Sequence, residues 1–146
     1  MKNYRSLSFL VSLLLFSLVG CSGNVTTIGT VKFTDGTPLS EGQIIYQNDL
    51  HEFLSVIKPD GTYSIWGVRE GDGIPPGTYS VFLRFPAYEF INQIPVAPKF
   101  ASADSSGFIA EVVPGKRNRF DFEVEPNLSR ADTTRRTEPP TSPQGR

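Results

Sequence analysis

The chain has 146 residues, of which 14 are basic and 15 acidic, and its formal net charge at pH 7 is −1. A balance this close to neutral gives no electrostatic basis for nucleic-acid binding. The single cysteine excludes an internal disulfide and a cysteine-based metal site or redox pair. The length suits one domain, and the many aromatic residues can form an apolar core without disulfides.

The chain begins with a pattern typical of a secretory signal peptide. Lys2 and Arg5 precede an apolar run over 7–19, and small residues then mark a cleavage point. The run is too short for a membrane span, which needs about 20 residues. We therefore expect residues 1–20 to be removed. Twelve basic and fifteen acidic side chains remain in the mature chain, which gives it a net charge of −3.

The cysteine follows this run directly, in the sequence Leu18-Val19-Gly20-Cys21. This segment resembles the lipobox of bacterial lipoproteins, which implies a diacylglyceryl group on the Cys21 thiol, cleavage before Cys21 and an acylated amino terminus. Acyl chains bind a bilayer strongly, since each buried CH2 contributes about 0.8 kcal/mol. We expect a membrane anchor at Cys21, a short linker over 21–23 and, because Ser22 comes next, sorting to the outer membrane of the cell envelope.

Short alternating apolar and polar runs follow, separated by Gly, Pro and Asp-Gly, and no segment after Cys21 has a helical period. This pattern is typical of an all-β sandwich or barrel. Seven such runs in about 100 residues match the size of an immunoglobulin-like sandwich, so we predict an all-β, seven-stranded immunoglobulin-like β-sandwich over 24–125. The predicted strands are 25–33, 43–47, 52–58, 62–66, 78–85, 107–113 and 119–125.

Two segments lie outside the predicted strands. Residues 126–146 are rich in Pro, Thr, Ser and Arg, and such a composition predicts a disordered tail. Residues 86–106 are long for a connection within a sandwich, but they are too apolar for a free linker. We expect this loop to fold over the sandwich, with a short strand or turn near 88–92.

Several turn motifs resemble one domain family, the carboxypeptidase regulatory-like domains. The motifs are Asp35-Gly36-Thr37-Pro38-Leu39, Pro59-Asp60-Gly61-Thr62-Tyr63 and Pro75-Pro76-Gly77-Thr78-Tyr79. The resemblance covers about residues 25–125 and implies a transthyretin-like sandwich of seven strands. It also implies an accessory module without catalytic residues. The stretch 99–122 is similar to small lipoproteins of planctomycete-type bacteria.

Titratable side chains form no pattern typical of an enzyme. His51 is the only histidine, and no Gly-x-Ser-x-Gly segment supplies a nucleophile. We interpret His51 as a solvated loop residue. Asp35, Asp60, Asp72 and Asp104 lie near glycines without the spacing of an EF-hand, and turn formation explains each of them without calcium. We predict no enzymatic activity, no cofactor and no metal.

Aromatic side chains are the candidate contact residues, namely Trp66, Tyr88, Phe90 and Phe100. Rings on an ordered loop can stack on sugars or fill a partner's pocket, and exposed apolar patches mark interaction sites. The other interpretation is that these rings close the open end of the sandwich as part of its core. Exposed sheet edges offer a further site, where a partner strand can pair.

The sequence thus predicts a non-catalytic, lipid-anchored cell-envelope protein that acts as an interaction or structural module. Its expected partners are the membrane, through Cys21, and an envelope protein or glycan. The alternative is a carbohydrate-binding module that uses the loop aromatics. Sugar binding would be lost on single substitutions of Trp66, Tyr88 or Phe100, whereas protein binding would be lost on disturbing a sheet edge or the whole loop.

Overall fold

The structure describes residues 23–129 in a computed structural model, and the strands of these residues form two β-sheets. One sheet has the strand order β4-β1-β7 and the other has the order β3-β2-β5-β6. Helix is almost absent from these residues, so the predicted all-β class is confirmed. The strands are β1 (Thr27–Phe33), β2 (Gln43–Gln47), β3 (Glu52–Val56), β4 (Thr62–Ile65), β5 (Gly77–Arg84), β6 (Phe108–Val112) and β7 (Asn118–Val124).

The strand register defines two ends of the molecule. At the start of β1, Thr27 pairs with Ile65 at the end of β4 and with Asn118 at the start of β7. We call this side the near end; it comprises residues 23–26, the turns 48–51 and 113–117, and the loop 66–76. The opposite side, the far end, comprises residues 34–42, 57–61, 85–107 and 125–129. Because β1 has seven residues, the two ends lie roughly 20 Å apart.

Alternation along the strands places one face of each sheet in a shared core. In β5 the side chains of Tyr79, Val81 and Leu83 point inward and are fully buried or nearly so. In β7 the inward side chains are Phe122 and Val124. This period of two is what the sequence predicts for strands with one buried face.

Gly29 permits a close approach at the centre of the three-stranded sheet. It pairs with Tyr63 on one side and with Phe120 on the other, and a Cβ at this position would overlap the Phe120 carbonyl oxygen. The Tyr63 side chain reaches across β1, and its hydroxyl donates to that carbonyl at 2.7 Å. The Tyr46 hydroxyl, from the other sheet, lies 2.8 Å from the Tyr63 oxygen. Since Tyr63 has already given its only proton, Tyr46 is the donor in this bond.

Two tight turns use the same Asp-Gly-Thr device. The Asp35 carboxylate accepts from the Thr37 amide at 2.9 Å and from its hydroxyl at 2.6 Å. The Asp60 carboxylate accepts from the corresponding groups of Thr62 at 3.0 and 2.7 Å. The glycine between each pair has a positive φ, which glycine adopts without steric cost. These bonds give the aspartates a structural role.

The first strand and the long loop differ in detail from the predictions. β1 begins at Thr27, and Val25 forms an isolated bridge with Ile74 instead of extending the strand. The loop contains a 3₁₀ turn at Pro98–Ala101 and a single helical turn, α1, at Ala103–Ser106. Within the described range, no helix is long and apolar enough to cross a membrane.

Candidate functional site

The loop over residues 86–106 closes the far end of the sandwich. Three of its apolar side chains, Ile94, Val96 and Phe100, are buried in the core. The Phe100 ring stacks on Phe108, with 5.1 Å between the ring centroids. Only 4 % of Phe100 is exposed. The structure therefore places this predicted contact residue in the core, where it is not available to a ligand.

The backbone of this loop is held in place by the segment that follows β7. The Asn127 side-chain amide donates to the carbonyls of Ile94 at 3.0 Å and Asn92 at 3.2 Å, and its backbone amide donates to Pro95 at 2.9 Å. Asn127 itself is buried. The composition predicts residues 126–129 as part of the tail, but they belong to the folded far end.

Tyr88 is half-buried and connects the loop to the segment before β2. Its hydroxyl donates to the Glu41 carboxylate, with both oxygens at 2.9 Å, and its ring meets Phe85 edge-on. A shallow groove lies on each side of Tyr88. One, of about 230 Å³, is lined by Glu41 and Val56 among others, and the second, of about 310 Å³, includes Phe90.

Three apolar side chains project from the far end into solvent. Phe90 is 56 % exposed, Ile91 54 % and Leu128 78 %. Leu128 directly follows Asn127, whose side-chain amide also contacts the Ile91 carbonyl at 3.4 Å, so the three residues belong to neighbouring segments. We call Phe90, Ile91 and Leu128 the far-end patch. Phe90 is among the contact residues that the sequence predicts, whereas Leu128 is not, because its segment is predicted as tail.

Trp66 lies at the opposite side of the molecule. It follows the last residue of β4, Ile65, which pairs with Thr27 at the near end, and it is half-buried. The structure therefore separates Trp66 from Tyr88 and Phe90 by about the length of the sandwich, roughly 20 Å. The four aromatic residues form no common platform.

The near end has exposed apolar side chains of its own. Leu50, in the turn between β2 and β3, is 82 % exposed, and Val68, in the loop before β5, is 96 % exposed. Neither is predicted from the sequence, because each stands alone among polar turn residues. The only sequence signal is an apolar side chain at a turn tip, where polar residues are usual.

The outer face of the four-stranded sheet is partly apolar. Leu54, Ile45 and Phe82 stand side by side on β3, β2 and β5. Ile45 is fully buried although it lies outside the main core. The ion pair between Arg84 and Glu52, at 3.3 Å, crosses the sheet diagonally over this row.

Several ionisable groups of the described residues have structural partners. His51 stacks on Phe53 with 5.5 Å between ring centroids. The bonds from Thr37 and Thr62 lower the pKa of Asp35 and of Asp60. Among residues 23–129, no three or more His, Cys, Asp or Glu side chains are grouped so that they would hold a metal ion. What this arrangement offers is exposed apolar surface for binding.

Burial raises the pKa of the Tyr46 and Tyr63 hydroxyls well above the ordinary value. Both groups lie inside the core, where the low dielectric disfavours a phenolate. They stay protonated at neutral pH and act as structural hydrogen-bonding groups.

No protein-family model matches this sequence, and no curated protein matches it. The predicted anchor residue Cys21, the signal peptide over 1–20 and residues 130–146 of the predicted tail lie outside the described residues.

Proposed function

We propose that this protein is a lipid-anchored, non-catalytic module of the cell envelope that binds a protein partner with its far end. One observation carries the proposal: Phe90 and Ile91 are more than half exposed on a loop whose backbone is fixed by Asn127. Exposed apolar groups on an ordered loop bind with little entropic cost, because the contact geometry exists before the partner arrives.

We further propose that the domain is a seven-stranded, immunoglobulin-like sandwich of the transthyretin-like, carboxypeptidase regulatory-like kind. Support comes from the division of the strands into sheets of three and four, and from the parallel pairing of β1 with β7. The turns at Asp35 and Asp60 lie within two of the motifs that resemble this family. Because a fold alone does not define a function, the binding proposal depends on the far-end patch.

The proposed anchor is Cys21, two residues before the described chain begins at Gly23. Val25 is paired with Ile74 at the near end. An acyl group on Cys21 therefore holds the near end at the membrane and turns the far-end patch away from it, toward envelope partners.

Protein binding is favoured over sugar binding by the positions of the aromatic rings. Sugar-binding sites present rings on one accessible surface, but Phe100 is in the core and Trp66 is at the other end. The most exposed ring of the far end, Phe90, has aliphatic neighbours in Ile91 and Leu128. Mixed aromatic and aliphatic side chains of this kind are typical of the apolar centre of a protein interface.

The test is site-specific photo-cross-linking of the full chain in its native cells. A photoreactive phenylalanine analogue is placed at position 90, and in a matched control at position 116, which is exposed at the near end. We expect a recurrent protein adduct from position 90 that is lost in cells carrying Leu128→Asp. No protein adduct from position 90, or the same adducts from both positions, would contradict the proposal.

A second measurement tests the anchor. Replacing Cys21 with Ala should abolish labelling by radioactive palmitate and release the protein from the membrane fraction. A Cys21→Ala protein that still incorporates palmitate and sediments with membranes would disprove the anchor.

A further inference from the structure

We infer that the near end is a membrane-contacting surface, in which Leu50 and Val68 enter the interfacial region of the bilayer with Trp66 beside them. This inference rests on the proposed anchor at Cys21. It adds a second, non-covalent contact with lipid and a fixed orientation of the domain.

The described chain enters the fold at the near end. The backbone amide of Val25 donates to the Ile74 carbonyl at 2.8 Å, and the Ile74 amide donates back at 3.0 Å. Ile74 belongs to the same loop as Trp66 and Val68. Cys21 is four residues from Val25, and four extended residues span at most about 14 Å. Lipid chains on Cys21 therefore bring the bilayer surface to this loop.

Leu50 and Val68 project from adjoining segments of the near end. A Cβ built at Gly67 would lie 3.9 Å from the Phe53 ring at the start of β3. The loop that carries Val68 thus lies against the hairpin that carries Leu50. An aliphatic side chain at a turn tip gains no contacts within the domain, and Val68 and Leu50 are 96 % and 82 % exposed.

Hydrogen bonds fix the turns that carry both side chains. The Asn48 side-chain oxygen accepts from the Leu50 amide at 3.0 Å and from the His51 amide at 2.8 Å. The Asp72 carboxylate accepts from the Arg69 amide at 3.0 Å. These bonds hold the two projecting side chains in position before they meet the membrane.

The charges of this surface define the kind of contact. Its turns and loop carry three carboxylates and three permanent cations, so their charges balance. The carboxylates are Asp49, Glu70 and Asp72, and the cations are Arg69, Lys116 and Arg117. A balanced surface is not drawn to anionic lipid, whereas apolar side chains and tryptophan favour the membrane interface irrespective of lipid charge. We therefore expect the contact to form on zwitterionic lipid and to change little with salt.

Trp66 is the only tryptophan of the chain, and this makes a direct measurement possible. The full lipoprotein is reconstituted in phosphatidylcholine vesicles with either ordinary or brominated acyl chains, and Trp66 fluorescence is recorded. We expect lower emission in brominated vesicles. Leu50→Asp combined with Val68→Asp should remove this difference, whereas Phe90→Asp combined with Leu128→Asp, at the far end, should preserve it.

Palmitate labelling and vesicle flotation are measured on the same samples. A protein that is labelled and floats, but whose Trp66 emission is equal in both kinds of vesicle, would overturn the membrane contact and leave the anchor intact. A protein without palmitate would overturn both proposals. Quenching that appears only when anionic lipid is added would also contradict the apolar contact. Circular dichroism of the Asp variants checks that these exposed substitutions leave the fold unchanged.

Discussion

The two halves of the sandwich are closed in different ways. In the near half, tyrosines from both sheets meet inside the core, and their hydroxyls bond to each other and to the Phe120 carbonyl. In the far half, a long loop supplies Ile94, Val96 and Phe100 to complete the core. The near half is therefore closed mainly by strand residues, with Ile74 from the loop before β5, whereas the far half depends on a long connection.

This difference follows from the lengths of the connections. At the near end, the turns 48–51 and 113–117 are short, and the loop 66–76 contributes Ile74 to the core, so large strand side chains fill most of it. At the far end, a loop of about twenty residues has enough apolar surface to serve as a cover. The backbone carbonyl groups of a loop that covers the core need hydrogen-bond donors. The side-chain amide of Asn127 is the donor to several of them.

The largest expected effect comes from Gly29→Ala, which disturbs the near half. A Cβ there would overlap the Phe120 carbonyl oxygen and approach the Tyr63 hydroxyl to 2.6 Å. Backbone cannot move aside without breaking the pairing of β1 with β7, so we expect a loss of at least about 3 kcal/mol of unfolding free energy. This loss is measured by urea denaturation, with unfolding monitored by fluorescence.

Gly23→Ala is the matched control for this change. Nothing lies within 4 Å of a Cβ built at Gly23, so its unfolding midpoint should equal that of the natural chain. If Gly29→Ala were as stable as Gly23→Ala, the close approach of Tyr63 to β7 described above would be wrong.

The second largest effect is expected from alkaline pH, which should destabilise the near half. Burial holds the pKa of Tyr46 and of Tyr63 far above 10, the value expected in the unfolded chain. Below pH 10 both states keep these protons. Above it only the unfolded state releases them, so stability falls as pH rises. Between pH 9 and 11 each of these two tyrosines should lower the unfolding free energy by about 1.4 kcal/mol. Burial also raises the pKa of Tyr79, which lowers the stability at high pH in the same way.

Urea denaturation at several pH values measures this loss. Tyr46→Phe removes one of the titrating groups, so its stability should fall with a smaller slope above pH 10. A natural chain whose unfolding free energy is constant from pH 9 to 11 would show that these hydroxyls are not buried in the folded state.

Much of the fold is predictable from the sequence, because it depends on local signals. Alternation in Arg119 to Glu125 and the Asp-Gly turns at Asp35 and Asp60 give the strand positions and the all-β class. The sequence also indicates that the apolar loop folds over the sandwich. The tyrosine network was not predicted, since it depends on which strands pair with β1, and Gly29 carries no pattern that reveals its neighbours.

The candidate site was predicted only in part, because exposure depends on tertiary packing. Phe90 and Phe100 are similar in sequence context, yet one is exposed and the other is in the core. Leu50 and Val68 stand alone in polar turns, and a single apolar residue gives no periodic signal. Their proximity to the start of the described chain becomes evident only when the register of β1 is known.

Of these changes, Asn127→Ala should lower the global stability least, and its effect should be the most local. The substitution leaves the Ile94 and Asn92 carbonyls without their side-chain donor, and a lost bond of this kind costs about 1–2 kcal/mol. The near half is closed by strand residues and by Ile74, none of which belongs to the loop 86–106. Hydrogen exchange should therefore accelerate in residues 86–97 and stay unchanged at Tyr46 and Tyr63. Asn92→Ala is the matched control, since its side chain is exposed and its carbonyl remains. If hydrogen exchange accelerated equally in both halves, the two ends would not be closed independently. The loop would then be needed to hold the tyrosines as well.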